Sequence, residues 1–303
     1  MKAAALLRET ARRFSRARLH YGHGTHNARE EANWLFSHVL GSPIDSRKCI
    51  SDEKQKKIET LVHQRIQERV PLAYLLNEAW LGEHAFYVDR RAIVPRSFIA
   101  ELLQERLRPW LTREPGRVLD LGTGSGCLAV LLALTFENSR IDAADLSSSA
   151  LEVAKINIRK YRLEKRIRAL RSDLFESLKR SQYDLIVCNP PYVTARSIRK
   201  LPREYRREPA LALSGGEDGL DLVRKILSRS GKHLAPGGLL VCEIGGNRRA
   251  LERAYPELPF VWPEISAGPG CVFILGREQL PASPNARTAS ASRMSATQAR
   301  ARR

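Results

Sequence analysis

With 303 residues, 43% of them hydrophobic, the chain can bury the core of one large or two ordinary domains, and no apolar run in it reaches membrane-spanning length. A formal net charge of +18 argues against an acidic small molecule as partner and favours nucleic acid, or a partner already seated on nucleic acid. The 5 cysteines form no Cys-x-x-Cys pair, and Cys127, Cys188, Cys242 and Cys271 lie in apolar runs. They read as small buried hydrophobes of a reducing, cytoplasmic compartment.

From residue 3 to about 70 the apolar residues have helical spacing. Leu6, Leu7, Phe14 and Ala17 share one face of a first helix, with arginines elsewhere. That segment is Arg-rich and acid-poor like a transit peptide, but its period is that of an ordinary amphipathic helix, and no secretory signal is visible. Tyr21-Gly-His-Gly-Thr25 breaks it. A second helix is predicted over 30–40 and a third over 52–69, where Ile58, Leu61, Val62 and Ile66 recur at helical spacing. His20, His23 and His26 are separated by glycines that spoil a shared ligand face, and no cysteine or acid completes the set, so no metal is expected. Between Trp80 and Pro95 the period shortens, and Asp89-Arg90 is the expected turn of a hairpin. Pro95-Arg96-Ser97 is expected to start a helix through Leu107.

Residues 117–121 then read as a strand, followed by Gly122-Thr123-Gly124-Ser125-Gly126 and a helix to about Phe136. A Gly-rich turn lets backbone approach a ligand closely at a helix start. The third glycine comes one residue too early for the dinucleotide fingerprint, and the preceding Asp120 would repel a pyrophosphate. An acid there suits a cationic or zwitterionic ligand. A second strand over 140–144 ends at Asp145, placed to bind ribose hydroxyls. A third over 167–170 leads to Asp173. Later elements are a helix over 219–230, a strand over 238–244 after a Pro236-Gly-Gly turn, a short helix over 248–255, and final strands over 260–262 and 271–275.

The fourth strand, 183–188, ends in Asn189-Pro190-Pro191-Tyr192. Two prolines supply no ladder donors and stop the strand at a stiff corner. The Asn189 amide oxygen and the Pro190 carbonyl can accept both hydrogens of a planar NH2 group, and Tyr192 can cover its face. A nitrogen so held suits in-line displacement, where positioning is most of the catalysis. The plainer alternative is a proline-terminated strand whose Asn caps its own turn.

Alternation of strand and helix predicts an α/β fold, a doubly wound sheet. The succession Asp120 with Gly122–Gly126, then Asp145, Asp173 and Asn189, resembles the S-adenosylmethionine-dependent methyltransferases, whose sheet has seven strands. The resemblance implies that the glycine turn packs against the methionine part of the cofactor and that Asp145 holds the ribose. It also implies that Asp173 and Leu174 sit at the adenine and that Asn189 faces the transferred methyl. Asn-Pro-Pro-Tyr is shared by nucleic-acid amino methyltransferases and protein glutamine methyltransferases. Glu208-Pro-Ala-Leu-Ala-Leu-Ser-Gly-Gly-Glu-Asp-Gly219 and Val94-Pro95-Arg96 resemble the protein glutamine methyltransferase family. Tyr21–Thr25, Leu201-Pro-Arg-Glu-Tyr205 and Val241-Cys-Glu-Ile-Gly245 are similar to its branch acting on a large-subunit ribosomal protein.

The expected organisation is a helical substrate-recognition domain at 1–78, a hairpin connector at 79–96, a catalytic domain at 97–280 and a basic, disordered tail at 281–303. The basic surface offers a contact for ribosomal RNA. The alternatives are a nucleic-acid base methyltransferase, a release-factor glutamine methyltransferase, and a non-catalytic ribosome-binding module with a decayed cofactor site.

Overall fold

The computed structural model describes residues 2–45, 47, 49–178 and 182–281, so the expected tail, Pro281 apart, lies outside the described residues. The N-terminal part is helical. α1 (Ala3–Arg16) buries Leu6 and Phe14. α2 (Ala28–Leu40) begins where the Asn27 side chain accepts from the backbone N–H groups of Arg29 and Glu30, satisfying donors that a helix start leaves unpaired. α3 (Asp52–His63) begins at Ser51 in the same way. Phe14, Leu35, Phe36, Ile58 and Val62 meet in one core.

The third helix is not continuous to 69 as expected. Beyond His63 the chain makes a π turn, Gln64–Glu68. The wider turn changes the helix face that follows it. Arg65 lies within this turn at 1% exposure, where it donates to Glu31 and, at 2.9 Å, to the His20 carbonyl. The short α4 (Leu72–Leu76) follows.

β1 (Ala79–Leu81) and β2 (His84–Phe86) form the hairpin. It turns at Gly82-Glu83, not at Asp89-Arg90. Gly82 has φ +60°, which the first central residue of a tight hairpin turn requires. Asp89 instead closes a separate local turn, accepting from the Arg91 backbone at 3.0 Å. The helix expected from Pro95 starts only at Ile99 and ends at Gln104 (α5). Residues 94–98 stay irregular because two buried glutamates, described below, take their N–H groups.

The larger layer contains β3 (Arg117–Leu121), α6 (Cys127–Thr135), β4 (Arg140–Asp145), α7 (Ser148–Lys160), β5 (Ile167–Arg171) and β6 (Tyr183–Cys188). After them come α8 (Ala195–Ile198), α9 (Asp221–His233), β7 (Leu234–Glu243), α10 (Arg248–Ala254) and β8 (Val272–Gly276). The sheet order is β5-β4-β3-β6-β7-β8, with only β8 antiparallel to its neighbour. Among the described residues it has six strands. Of the 260–262 strand expected in a seven-stranded sheet there remains a bridge from Val261 to Ile274, on the β8 edge. β7 also absorbs the Pro236-Gly-Gly segment: Tyr183 pairs with Leu234 but Leu185 with Leu239, so the extra residues bulge out at Gly237.

Both sheet faces are covered, which is why the central strands read as unbroken apolar runs. Val118, Leu185, Val187 and Val241 face one core with α6; Leu119, Ile186 and Leu240 face the other with α9. From β3 the chain winds outward through β4 and β5, then returns to place β6 on the other side of β3. That reversal opens a crevice at the carboxyl ends of the strands. Leu121 is opposite both Ala144 and Cys188, so Gly122, Asp145 and Asn189 leave the sheet side by side.

Candidate active site

These strand ends surround a cavity of about 370 Å³. Residues 122–125 form one wall, Asp145 with Asp173 and Leu174 a second, and Asn189 with Pro191 a third. Four expected site residues, Asp120, Gly126, Pro190 and Tyr192, are not among the residues that line it.

On the glycine side, the N–H groups of Gly122 and Thr123 both donate to the Ala144 carbonyl, at 2.8 and 2.9 Å. Gly124 N–H donates to Asp145 Oδ2 and Ser147 N–H to Oδ1, each at 2.8 Å. Each carboxylate oxygen still has an unused lone pair. Burial pushes the Asp145 pKa up, opposed by these N–H groups. Asp120 is 1% exposed behind the turn, and its Oδ2 accepts from the Thr123 hydroxyl at 2.6 Å. Its Oδ1 has no hydrogen-bond partner among the described residues. Burial pushes this carboxyl up to about 7, against the opposing pull of the Thr123 hydroxyl and the Ala129 N–H. Gly126 is a packing residue: a methyl there would stand 2.9 Å from Ala154 Cβ, so glycine lets α6 start against α7. Asp173 is exposed at the rim, and Leu174 takes a left-handed φ of +47° beside it.

On the Asn189 side, Nδ2 donates to the Arg96 carbonyl at 3.2 Å. Only the NH2 end of a carboxamide can donate to a carbonyl, so this bond leaves Oδ1 as an open acceptor. Tyr192 does not cover the cavity as expected. Its hydroxyl donates to Glu243 Oε1 at 3.2 Å, and its ring lies where a methyl on Gly245 would stand, 2.6 Å away. Gly215 and Gly219 admit the corner from below: methyls there would stand 2.7 Å from Tyr192 Cα and 2.4 Å from its carbonyl oxygen.

Sequence reasoning missed Arg96, Glu208 and Glu243 as individual site residues, although each sits in a stretch that carried the resemblance. Glu208 has a side chain with no exposure and accepts both Arg96 Nη groups at 2.7 Å and the Val94 N–H at 3.0 Å. His23 Nε2 stands 3.7 Å away, beyond hydrogen-bond range. Burial pushes the Glu208 carboxyl up, but His23 and Arg96 outweigh it and hold the pKa at about 2. Glu243, 1% exposed, accepts from the Ser97 hydroxyl at 2.6 Å and the Phe98 N–H at 3.0 Å. Leu211, 59% exposed, forms an apolar lip on the same cavity. His20 and His23 pack their rings on Tyr205, with centroids 5.3 and 4.4 Å away.

Two family models match the chain: the methyltransferase small domain over residues 98–202 and the PrmC N-terminal domain over residues 5–76. A ribosomal protein uL3 glutamine methyltransferase of Neisseria meningitidis is 51% identical, covering 91% of this chain and 93% of that protein. The Bordetella pertussis protein of that name is 48% identical, covering 91% of this chain and 95% of its own length. The solved hMettl16 catalytic domain, in complex with MAT2A 3'UTR hairpin 1, aligns with a TM-score of 0.51 at 17% identity. It covers 80% of this chain and 86% of that one, and shows the shared fold alone. With such identity along nearly its whole length, and a matching model on each side of the hairpin, the chain belongs to the ribosomal protein uL3 glutamine methyltransferase family.

Proposed function

We propose that the chain transfers a methyl group from S-adenosyl-L-methionine to the side-chain amide nitrogen of a glutamine in a large-subunit ribosomal protein, giving N(5)-methylglutamine. The observation that carries this reading is the Asn189 carboxamide, whose NH2 is taken by the Arg96 carbonyl so that its oxygen is open to a donor.

The residues present fit the cofactor. Methyls at Gly122 or Gly124 would meet nothing within 4 Å, so the turn offers bare backbone to the cavity. Asp145 brings spare lone pairs for ribose hydroxyls, and Leu146 and Leu174 bring apolar surface for the adenine, with Asp173 at its edge. Bound there, the cofactor supplies an electrophilic methyl on a positively charged sulfur. Asn189 Oδ1 accepts one amide hydrogen of the incoming glutamine at the cavity wall, and the carbonyl of Pro190, which lies between the lining residues Asn189 and Pro191, is assigned the other, which fixes the nitrogen and its direction of approach. The nitrogen would gain the methyl as the methyl–sulfur bond breaks to leave a neutral thioether, and would give up one proton. Pro191 stiffens the corner, and Tyr192 anchors it to Glu243.

The helical domain, 1–78, is assigned to substrate recognition, 79–96 to the connector and 97–280 to catalysis. In the loop 196–207 the six Lys or Arg residues are exposed, whereas its single acid, Glu204, turns inward to Arg65 at 3.3 Å. That basic face fits a ribosomal protein assembling on RNA in the cytoplasm. The same face favours a second reading, a nucleic-acid base methyltransferase. Labelled cofactor offered with large-subunit ribosomal proteins, RNA and DNA separates them. Label in a glutamine of one ribosomal protein is the expected result; label confined to nucleic acid refutes the proposal.

A further inference from the structure

Residues 94–98, of which Pro95, Arg96 and Ser97 line the cavity, run between two buried carboxylates that belong to different parts of the chain. Glu208, from the loop after the Asn189 corner, takes the Val94 N–H and the Arg96 guanidinium. Glu243, at the end of β7, takes the Ser97 hydroxyl and the Phe98 N–H with one oxygen and the Tyr192 hydroxyl with the other. The residue held between the two anchors is Arg96, and its carbonyl is the partner of Asn189 Nδ2. A carboxamide has two nearly isosteric orientations. The flipped one would set oxygen against the Arg96 carbonyl and present an NH2 to the substrate NH2, donor against donor.

We infer that segment 94–98 is an orienting strap for the acceptor site: Glu208 and Glu243 anchor it, and the Arg96 carbonyl selects the Asn189 orientation that accepts from a substrate amide. Arg96 and Glu208 are therefore positioning residues, acting on transfer only through Asn189. The inference rests on the acceptor role proposed for Asn189. His23 of the helical region approaches the same anchor without bonding to it, its Nε2 standing 3.7 Å from Glu208.

The test uses the full chain. Arg96→Met keeps the backbone carbonyl but removes the guanidinium clamp. Turnover on a saturating glutamine peptide should fall at least about tenfold, while peptide KM and S-adenosyl-L-methionine affinity by calorimetry stay within about threefold. Arg96→Lys, which keeps a charge for Glu208, should recover part of the loss. The double variant Arg96→Met/Asn189→Ala should be no slower than Asn189→Ala alone, because residues acting as one unit are not additive. Losses that multiply in the double variant, or a fall in cofactor affinity matching the fall in turnover, would overturn the strap. A second readout does not depend on activity. The Asn189 side-chain NH2 resonances, identified by their loss in Asn189→Ala, should show slow exchange in the native chain and shift in Arg96→Met and Glu208→Gln. Unchanged resonances in both variants refute the inference, whatever the turnover. Native turnover in Asn189→Ala would instead remove the proposed role of Asn189, leaving the resonances to decide whether the strap orients it.

Discussion

The two sides of the cavity are built on different principles. The glycine side is local: outside the sheet ladder, Asp120, the turn at 122–126 and Asp145 hydrogen-bond to residues at most 32 positions away, Asn157 to the Ser125 carbonyl being the longest span. The Asn189 side is assembled from afar. Its bonds join residues 93, 112 and 146 positions apart: Asn189 to Arg96, Arg96 to Glu208, and Ser97 to Glu243. Their electrostatics also differ in sign. Asp120 is buried with one oxygen lacking a hydrogen-bond partner among the described residues and its pKa is raised, whereas both oxygens of buried Glu208 accept hydrogen bonds and its pKa is lowered. A local motif can carry a binding surface through backbone alone. A directional acceptor needs side chains clamped by the whole fold.

Breaking the clamp should have the largest effect. Glu208→Ala leaves the Arg96 guanidinium and the Val94 N–H without their partner. Losing one member of a buried pair costs about 3–5 kcal/mol, and Arg96, still 30% exposed, regains some water, so about 3 kcal/mol is expected in chemical denaturation. A loss under about 1 kcal/mol would place this pair among ordinary surface ion pairs.

Asn189→Ala tests the chemistry on that side. Turnover should fall by more than about a hundredfold, since positioning of a reacting nitrogen is worth several kcal/mol, and cofactor affinity should hold within a few-fold. Retention of a tenth of native turnover, a loss of only about 1.4 kcal/mol, contradicts the acceptor role.

Asp145→Ala is the counterpart on the glycine side. It removes charged acceptors worth roughly 1.5–3 kcal/mol per hydrogen bond, so cofactor affinity measured by calorimetry should drop at least about tenfold. Unchanged affinity would show that the ribose is held elsewhere.

The contrast in sign gives a smaller, pH-resolved effect. The pKa of Asp120 is raised from 3.8 to about 7 in the folded chain, so the folded state holds a proton that the unfolded state has lost. Its contribution to stability is therefore present below pH 3.8 and is lost as pH rises to about 7. For Glu208 the order reverses: its contribution is present above pH 4.5 and is lost as pH falls toward about 2. Asp120→Asn keeps the Thr123 acceptor but cannot ionise. Its melting temperature relative to the native chain, both without cofactor, should climb between pH 4 and 7 and level off above; a constant difference across that range contradicts the assignment.

Much of this was legible in the sequence because it depends on neighbours along the chain. Apolar runs of buried strands, the glycine turn and the proline pair each follow from backbone chemistry within a few residues, so β3 and β6 fell where they were expected. Three features fell elsewhere than expected, the first for a local reason and the other two because the tertiary structure decided them. The hairpin turned at Gly82 because a positive φ was needed there and Asp89 was engaged by Arg91. The helix expected from Pro95 yielded to a strap because Glu208 and Glu243, more than a hundred residues away, captured the N–H groups of Val94 and Phe98. Tyr192 turned from the cavity because Glu243 offered its hydroxyl a buried acceptor. In the strap and at Tyr192 the local preference was worth little, and a buried polar group with a distant partner outweighed it, because leaving such a group unpaired costs more than a turn or a short helix gains.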